Sequence, residues 1–130
     1  MTRKLSVFLI DDEQIVNKRL KPALEKSGYE VETEQEGRAA LERLQEKEFD
    51  VVVTDMRIDE MTGLQVLDTV RKQSKKTKVV LMTGYATMEL ARRALLQGAF
   101  EVIAKPFKPQ ELREVIARAA DALKAQNTHP

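Results

Sequence analysis

The feature that most constrains the fold is a fivefold alternation of short apolar segments with longer segments of helical periodicity. We predict strands at residues 5–10, 29–33, 51–54, 79–83 and 102–104. The segments between them carry apolar residues three and four positions apart, as amphipathic helices do. Strict alternation predicts one α/β domain, a doubly wound (βα)5 parallel sheet with right-handed crossovers and helices on both faces.

Glycine and proline residues agree with the predicted helix ends. Gly28 and Gly98 stand where a left-handed glycine would end the first and fourth helices. Pro109 stands near the start of the fifth helix, whereas Pro22 interrupts the first and should kink it or remove one hydrogen bond. With no repeat or internal linker in the sequence, we assign residues 1–125 to the domain and 126–130 to a tail or the start of a linker.

Composition excludes several classes of function. The 22 basic and 21 acidic residues nearly cancel, which argues against a nucleic-acid or membrane-surface binder. No cysteine is present and the one histidine, His129, lies beside the C-terminus, so thiol and histidine chemistry are not expected. No apolar run approaches the ~20 residues of a membrane span, and we expect a cytoplasmic protein.

Polar side chains follow four of the predicted strands at their carboxyl ends. Asp11 and Asp12 follow the first strand, Asp55 the third, Thr83 ends the fourth and Lys105 follows the fifth. Ligands of open parallel sheets bind at this edge. Taken singly, Asp12 could cap a helix, Thr83 could begin a turn and Lys105 could be a solvated loop residue. Their convergence from four strands favours a functional site.

The chemistry of this set indicates phosphoryl transfer. Clustered carboxylates repel one another unless a cation intervenes, which suggests a hard divalent metal such as Mg²⁺. A lysine and a hydroxyl nearby can bind phosphoryl oxygens. Because the sequence has neither GxxxxGK[ST] nor GxGxxG, no nucleotide site is indicated. Asp55 can then act as a carboxylate nucleophile and form an acyl phosphate.

Five segments in order resemble the receiver domain of two-component response regulators, over residues 7 to about 123. They are FLIDDE at 8–13, VVVTDM at 51–56, MTGLQVL at 61–67, LMTGYA at 81–86, and GAF with AKPF between 98 and 107. TDMR, MTGYAT and GAFxxxxKPF are similar to receivers that precede ATPase-type transcriptional activators. The resemblance implies a flavodoxin-like sheet with strand order 2-1-3-4-5.

The resemblance also implies roles for individual residues. Asp55 would accept a phosphoryl group from a phosphohistidine of a sensor histidine kinase or a phosphotransfer protein. Asp12 and Asp55 would bind Mg²⁺ or Mn²⁺ directly, Asp11 would bind it through water, and Arg57 would contribute its backbone carbonyl. Lys105 would pair with Asp55 and then with the phosphoryl group. The domain would promote its own phosphorylation and dephosphorylation without being a turnover enzyme.

The resemblance implies a conformational switch as well. Thr83 would bind a phosphoryl oxygen and draw the following loop with it, and the Lys105–Pro106 bond would be cis. Val102 stands where most such receivers carry an aromatic residue that turns inward with Thr83. The switch would then depend on Thr83 and its loop, or on Tyr85 or Phe100 as a substitute. We interpret Phe100 as core packing.

The sequence departs from the usual receiver pattern at two further places, both near the edge of the site. Arg57 and Tyr85 each lie two residues past a site residue, where they would modulate the lifetime of the acyl phosphate. In RIDEMTG at 57–63, Asp59 replaces a usual proline, and we interpret the segment as a solvated loop to which Asp59 adds flexibility and negative charge.

The fourth helix and the fifth strand are the candidate output surface. If Ala91, Ala94 and Leu95 face the core, Leu90 and Leu96 stay outside. Exposed leucines beside arginines are typical of partner surfaces. This surface consists of Leu90, Arg92, Arg93, Leu96 and Val102, and with the fifth helix it would serve dimerisation or output.

Three functions compete at this point. The first is a phosphorylation-dependent switch that regulates transcription through an output domain absent from this chain. The second is an atypical receiver that binds partners independently of phosphorylation. The third, an aspartate-nucleophile phosphatase, is disfavoured because Arg57 stands where the second aspartate would be expected.

Overall fold

Mostly apolar strand sequences form one parallel sheet in the computed structural model, which describes residues 3–84 and 88–127. The strands are β1 (Ser6–Ile10), β2 (Glu30–Glu34), β3 (Val51–Asp55), β4 (Arg57–Ile58), β5 (Met61–Thr62), β6 (Lys78–Thr83) and β7 (Glu101–Ala104). The helices are α1 (Gln14–Lys26), α2 (Gly37–Glu46), α3 (Gly63–Gln73), α4 (Met88–Leu96) and α5 (Pro109–Asn127).

The main sheet has the order β2-β1-β3-β6-β7, and all neighbouring strands in it are parallel. Counting only these five strands, the order is 2-1-3-4-5, which confirms the predicted fold. Each of these five strands begins and ends within one residue of its predicted bounds. The central strands β1, β3 and β6 are almost wholly buried, whereas the edge strand β2 alternates between exposed and buried positions.

Helices cover both faces of the sheet, as the alternation predicted. One core layer lies between the sheet and helices α1 and α5, and the other between the sheet and α2, α3 and α4. The predicted apolar stripe of α5 is buried along its whole length, at residues Leu112, Val115, Ile116, Ala119, Ala120 and Leu123. In contrast, Ala94 is the one fully buried residue of α4, so that helix is held by few side chains.

The helix ends follow the glycine and proline signals. Gly28 and Gly98 adopt φ values of 95° and 103°, the left-handed region in which glycine avoids the strain of a side chain. Pro109 is the first residue of α5, and α1 continues through Pro22. The fifth helix runs to Asn127, two residues past the predicted domain boundary. No helix in the two described ranges is long and apolar enough to cross a membrane.

The segment after Asp55, which we predicted to be a solvated loop, forms a short hairpin whose turn is exposed. Strands β4 and β5 pair antiparallel, and Asp59 takes a φ of 57° at the turn between them. Ile58 is completely buried and Met61 is half-buried, so the hairpin packs on the molecule while Asp59 and Glu60 stay exposed. Two-residue strands are too short for any periodicity to be read from sequence.

The predicted rotation of α4 is wrong by about one residue. Leu90 is half-buried against the core and Leu95 is 51% exposed, the reverse of the expectation for these two residues. Leu96 is exposed as predicted, at 78%, and Met88 is exposed at 91%. The apolar surface of α4 therefore consists of Met88, Leu95 and Leu96, beside the exposed Arg92 and Arg93.

Candidate functional site

The carboxyl ends of four adjacent strands bring the predicted site residues together. Asp11 follows β1, Asp55 ends β3, Thr83 ends β6 and Lys105 follows β7. Backbone hydrogen bonds fix these ends, because the Lys105 N–H donates to the Thr83 carbonyl at 2.7 Å and the Asp11 N–H donates to Glu34 at 3.1 Å. The position of each side chain is thus set by the pairing of the sheet.

Three carboxylates form the acidic part of the site. Asp11 is completely buried, Asp55 is half-buried and Asp12 is exposed, and one oxygen of each lies within 4.8 Å of the other two. Asp12 does not begin α1, because the residue that precedes the helix is Glu13, whose N–H donates to Asp11 Oδ1 at 2.8 Å. The alternative of Asp12 as a helix cap is therefore wrong.

Lys105 supplies the positive charge and is shared between two carboxylates. Its Nζ lies 2.7 Å from Asp11 Oδ2 and 3.1 Å from Asp55 Oδ2, so the closer pair is with Asp11. The resemblance had implied only the pair with Asp55. Burial lowers the pKa of Lys105, but its hydrogen bonds to the two carboxylates outweigh burial and raise that pKa overall.

The surroundings of Asp55 disfavour its ionised form. Burial raises the pKa of Asp55, and the charge of Asp11 raises it further, whereas the hydrogen bond and charge of Lys105 lower it without cancelling the rise. One ammonium thus faces three carboxylates. An excess of hard oxygen donors in a half-buried position fits a divalent metal ion, so the cluster could hold one.

The remaining predicted residues surround this centre. Thr83 is buried, and Arg57 is exposed with its backbone N–H 3.5 Å from Asp55 Oδ1. The Lys105–Pro106 bond is cis, as predicted. Tyr85 lies outside the described residues.

Val102 and Phe100 lie in different core layers. Val102 is half-buried in the layer that includes Leu90 of α4. Phe100 packs in the opposite layer, with α1 and α5, which agrees with its interpretation as core packing. Phe100 therefore cannot take over the role of an aromatic at position 102, because the sheet separates the two.

Sequence reasoning missed two neighbours of the site. Asn17 is buried beneath Asp11, and its only signal was a polar residue three positions before Leu20 in the apolar stripe of α1. A cavity of about 390 Å³ lies beside Lys105, between the start of α1 and the start of α5. It is lined in part by Ile15, Pro106 and Phe107, and no local sequence signal predicts it.

Comparisons with known proteins agree with this geometry. The sequence model of the response regulator receiver domain matches residues 7–117. The chain is 38% identical over 119 residues to the regulatory protein AtoC of Escherichia coli K12, covering 92% of this chain and 26% of AtoC. It is 33% identical over 112 residues to the alginate biosynthesis transcriptional regulatory protein AlgB of Pseudomonas aeruginosa, covering 86% of this chain and 25% of AlgB. The chain thus spans about a quarter of these relatives.

Solved structures with similar sequences share the whole fold. A receiver domain protein from Clostridium thermocellum has a TM-score of 0.87 at 31% identity, covering 94% of this chain and 98% of that one. A beryllofluoride-activated NtrC4 receiver domain dimer has a TM-score of 0.85 at 28% identity, covering 91% and 98%.

Proposed function

The chain belongs to the response regulator receiver domain family, and on that premise we propose that Asp55 accepts a phosphoryl group from a phosphohistidine. One observation carries the proposal: Asp55 is a half-buried carboxylate at the end of β3, in contact with Lys105 and beside Asp11. We propose that the phosphohistidine belongs to a sensor histidine kinase or a phosphotransfer protein.

The chemistry needs no general base. A carboxylate oxygen of Asp55 forms the new bond to phosphorus while the bond from phosphorus to the imidazole nitrogen breaks, and that nitrogen keeps the electron pair. Lys105 donates a hydrogen bond to the Asp55 carboxylate, which favours its ionised form, and can follow the charge onto the phosphoryl oxygens. Asp55 is regenerated by hydrolysis of the acyl phosphate, so the domain modifies itself and does not turn over a substrate.

The acidic cluster supports a requirement for Mg²⁺ or Mn²⁺. We propose that Asp12, Asp55 and the backbone carbonyl of Arg57 hold the ion and that Asp11 binds it through water. The ion would neutralise charge on the transferred phosphoryl group. Asp11, buried and paired with Lys105, keeps the lysine directed at the site.

The surroundings of Asp55 support a partner that docks nearby. The cavity beside Lys105 has an apolar rim, and Ile15 on that rim is 68% exposed. A helical protein that carries the phosphohistidine could cover this rim while its imidazole reaches Asp55. We propose that this exchange takes place in the cytoplasm and involves neither nucleic acid nor membrane.

The switch would act on α4. Thr83 ends β6 and, on binding a phosphoryl oxygen, would draw the loop that leads into α4, a helix with a single fully buried residue among those described. Leu90 and Val102 share one core layer, so a shift of α4 would change their packing. Arg57 and Tyr85 remain candidates for modulating the acyl-phosphate lifetime.

We propose that the α4–β7–α5 face carries the output. Its exposed residues on α4 are Met88, Arg92, Arg93, Leu95 and Leu96, and the NtrC4 receiver is described as an activated dimer. Since the relatives are about four times longer, the output domain would lie outside this chain. Their names support regulation of transcription, for which an ATPase-type activator is our expectation.

The test of phosphorylation uses acetyl phosphate and Mg²⁺. We expect wild-type protein to gain the mass of one phosphoryl group, and Asp55→Asn to gain none. Asp68→Asn is the matched control, since Asp68 is an exposed carboxylate on α3 that forms an ion pair with Lys72, away from the site. Unmodified wild-type protein would contradict the proposal and favour the phosphorylation-independent interaction module.

The test of the output face is self-association. With beryllium fluoride and Mg²⁺, we expect sedimentation to show a wild-type dimer and a monomeric Leu96→Glu variant. Ile15→Glu introduces the same charge at an exposed apolar residue on another helix and should still dimerise. Equal association of wild-type protein and Leu96→Glu would exclude this face.

A further inference from the structure

Asn17 is a buried polar residue among the apolar residues of α1. It is 4% exposed, and Leu20 and Leu24 continue the same buried stripe. Its Nδ2 donates to the carbonyl oxygen of Asp11 at 3.1 Å and lies 3.4 Å from the carbonyl oxygen of Glu34. Burial of an amide is unfavourable unless it is hydrogen-bonded, so these two contacts are what make asparagine acceptable here.

The orientation of the Asn17 amide is fixed by its neighbours. Both contacts are carbonyl oxygens, which only accept hydrogen bonds, so the NH₂ group must face them. The other end, Oδ1, is buried and has no hydrogen-bonding partner among the residues that the structure describes. The NH₂ group is therefore the end of the Asn17 amide that makes hydrogen bonds.

The two carbonyls belong to the framework of the carboxylate cluster. The Glu34 carbonyl also accepts the N–H of Asp11, which closes the β1–β2 pairing at its carboxyl end. The Asp11 carbonyl is part of the peptide that links Asp11 to Asp12. By holding this carbonyl, Asn17 fixes the plane of the peptide between two carboxylates of the cluster.

We propose that Asn17 is a positioning residue for the cation site: it holds the Asp11–Asp12 peptide so that both carboxylates face Asp55. The inference rests on the proposed function, because it concerns the ion that phosphorylation of Asp55 would need. Residues that orient metal ligands typically change metal affinity by 10–100-fold when they are replaced. Without the amide, the peptide plane can rotate and turn the Asp12 carboxylate away, while the Asp11 carboxylate stays held by Lys105 and the Glu13 N–H.

The test compares Mg²⁺ binding by calorimetry in wild-type protein and in Asn17→Leu, which has a similar volume and suits the apolar surroundings. We expect the dissociation constant for Mg²⁺ to rise roughly tenfold. In the metal-free protein we also expect the amide resonance of Asp12 to move, because that N–H belongs to the peptide that Asn17 holds. If Asn17→Leu does not fold, Asn17→Ala removes the same amide without adding bulk.

Leu20→Ala is the control for a general loss of packing. Leu20 is buried on the same helix to the same extent as Asn17, but it makes no hydrogen bond to Asp11. It should leave the Mg²⁺ affinity and the Asp12 resonance unchanged. If Asn17→Leu keeps the wild-type affinity, or leaves the Asp12 resonance in place, the inference is wrong. Wild-type protein that binds no Mg²⁺ would instead overturn the proposed function.

Discussion

Gly63 lies directly against the backbone of Asp55. A Cβ atom at Gly63 would be 2.7 Å from the Asp55 carbonyl oxygen, closer than such atoms approach in proteins, and 3.1 Å from Met56 Cα, which is tighter than most contacts of this kind. The Gly63 N–H also donates to the Met56 carbonyl at 2.7 Å. The first residue of α3 thus packs on the strand end that positions the proposed phosphoacceptor.

We expect Gly63→Ala to damage both stability and phosphorylation. The added methyl group meets backbone atoms that cannot move without displacing Asp55, and overpacking of this kind costs about 1–3 kcal/mol in the free energy of unfolding. Displacement of the nucleophile should slow phosphorylation by acetyl phosphate about tenfold or more. Urea unfolding and the rate of mass increase measure the two effects.

Gly37→Ala is the matched control, because Gly37 is the first residue of α2 as Gly63 is of α3. The three atoms nearest to a Cβ atom there all belong to the side chain of Met61, at 3.1 Å or more, and two of them are its flexible thioether end. Its phosphorylation rate should equal that of wild-type protein. A Gly63→Ala variant with the wild-type rate would show that Asp55 tolerates the displacement.

Replacement of the proposed phosphoacceptor should stabilise the metal-free fold. Since burial, with the charge of Asp11, raises the pKa of Asp55, the folded state disfavours its ionised form. A raised carboxyl pKa means that stability is lost as the pH rises from the unfolded-state pKa through the folded-state pKa. We therefore expect Asp55→Asn to have a higher melting temperature than wild-type protein at pH 7 in a chelator.

The pH dependence of the melting temperature shows whether the raised pKa of Asp55 is the cause of this stabilisation. Below the pKa of Asp55 in the unfolded chain, the carboxyl is protonated in both states, and the advantage of Asp55→Asn should disappear. Asp68→Asn, at an exposed pair with Lys72, should change the melting temperature little at any pH. An advantage that persisted in acid would point to a steric cause.

The sheet and the acidic centre could be predicted because each depends on local signals. Central strands of a parallel sheet are buried on both faces, so their apolar runs mark them in the sequence. Asp11, Asp55 and Lys105 follow such runs directly, and the parallel arrangement alone brings them to one edge. The closer pairing of Lys105 with Asp11 than with Asp55 depends on side-chain distances that no sequence pattern encodes.

The orientation of α4 could not be predicted reliably for a different reason. The helix has nine described residues, and its alanines and leucines fit two rotations that differ by one position. In the structure, Leu90 and Ala94 face the core and Leu95 is exposed. Asn17 was missed because its proposed role comes from contacts with the backbone of Asp11 and Glu34, which the spacing within one helix cannot reveal.

Asp50 makes the fold sensitive to acid. Burial raises its pKa, but hydrogen bonds from Arg3 and from the N–H and hydroxyl groups of Ser6 outweigh burial and lower it overall. A lowered carboxyl pKa gives stability that is present above the unfolded-state pKa and is lost as the pH falls through the folded-state pKa. We expect the free energy of unfolding of Asp50→Asn at pH 7 to be about 1–2 kcal/mol below that of wild-type protein, because the substitution weakens the hydrogen bonds to Ser6.

Urea unfolding between pH 2 and 7 measures this contribution. The difference between wild-type protein and Asp50→Asn should shrink toward acid, where Asp50 is protonated in both states. Arg3→Ala serves as the comparison: Arg3 is largely exposed, so its ion pair should contribute less than about 1 kcal/mol. A difference that did not depend on pH would show that the charge of Asp50 is unimportant.

Asp59 occupies the one non-glycine position with positive φ among the described residues, at 57° in the turn between β4 and β5. The left-handed region is strained for a residue with a side chain, although aspartate tolerates it better than most. We expect Asp59→Gly to raise the free energy of unfolding by about 0.5 kcal/mol, because relief of strain exceeds the added chain entropy. Glu60→Gly, at the neighbouring turn position without positive φ, should lower it. Chemical denaturation of both variants decides the point, and equal effects of the two glycines would mean that Asp59 is not strained.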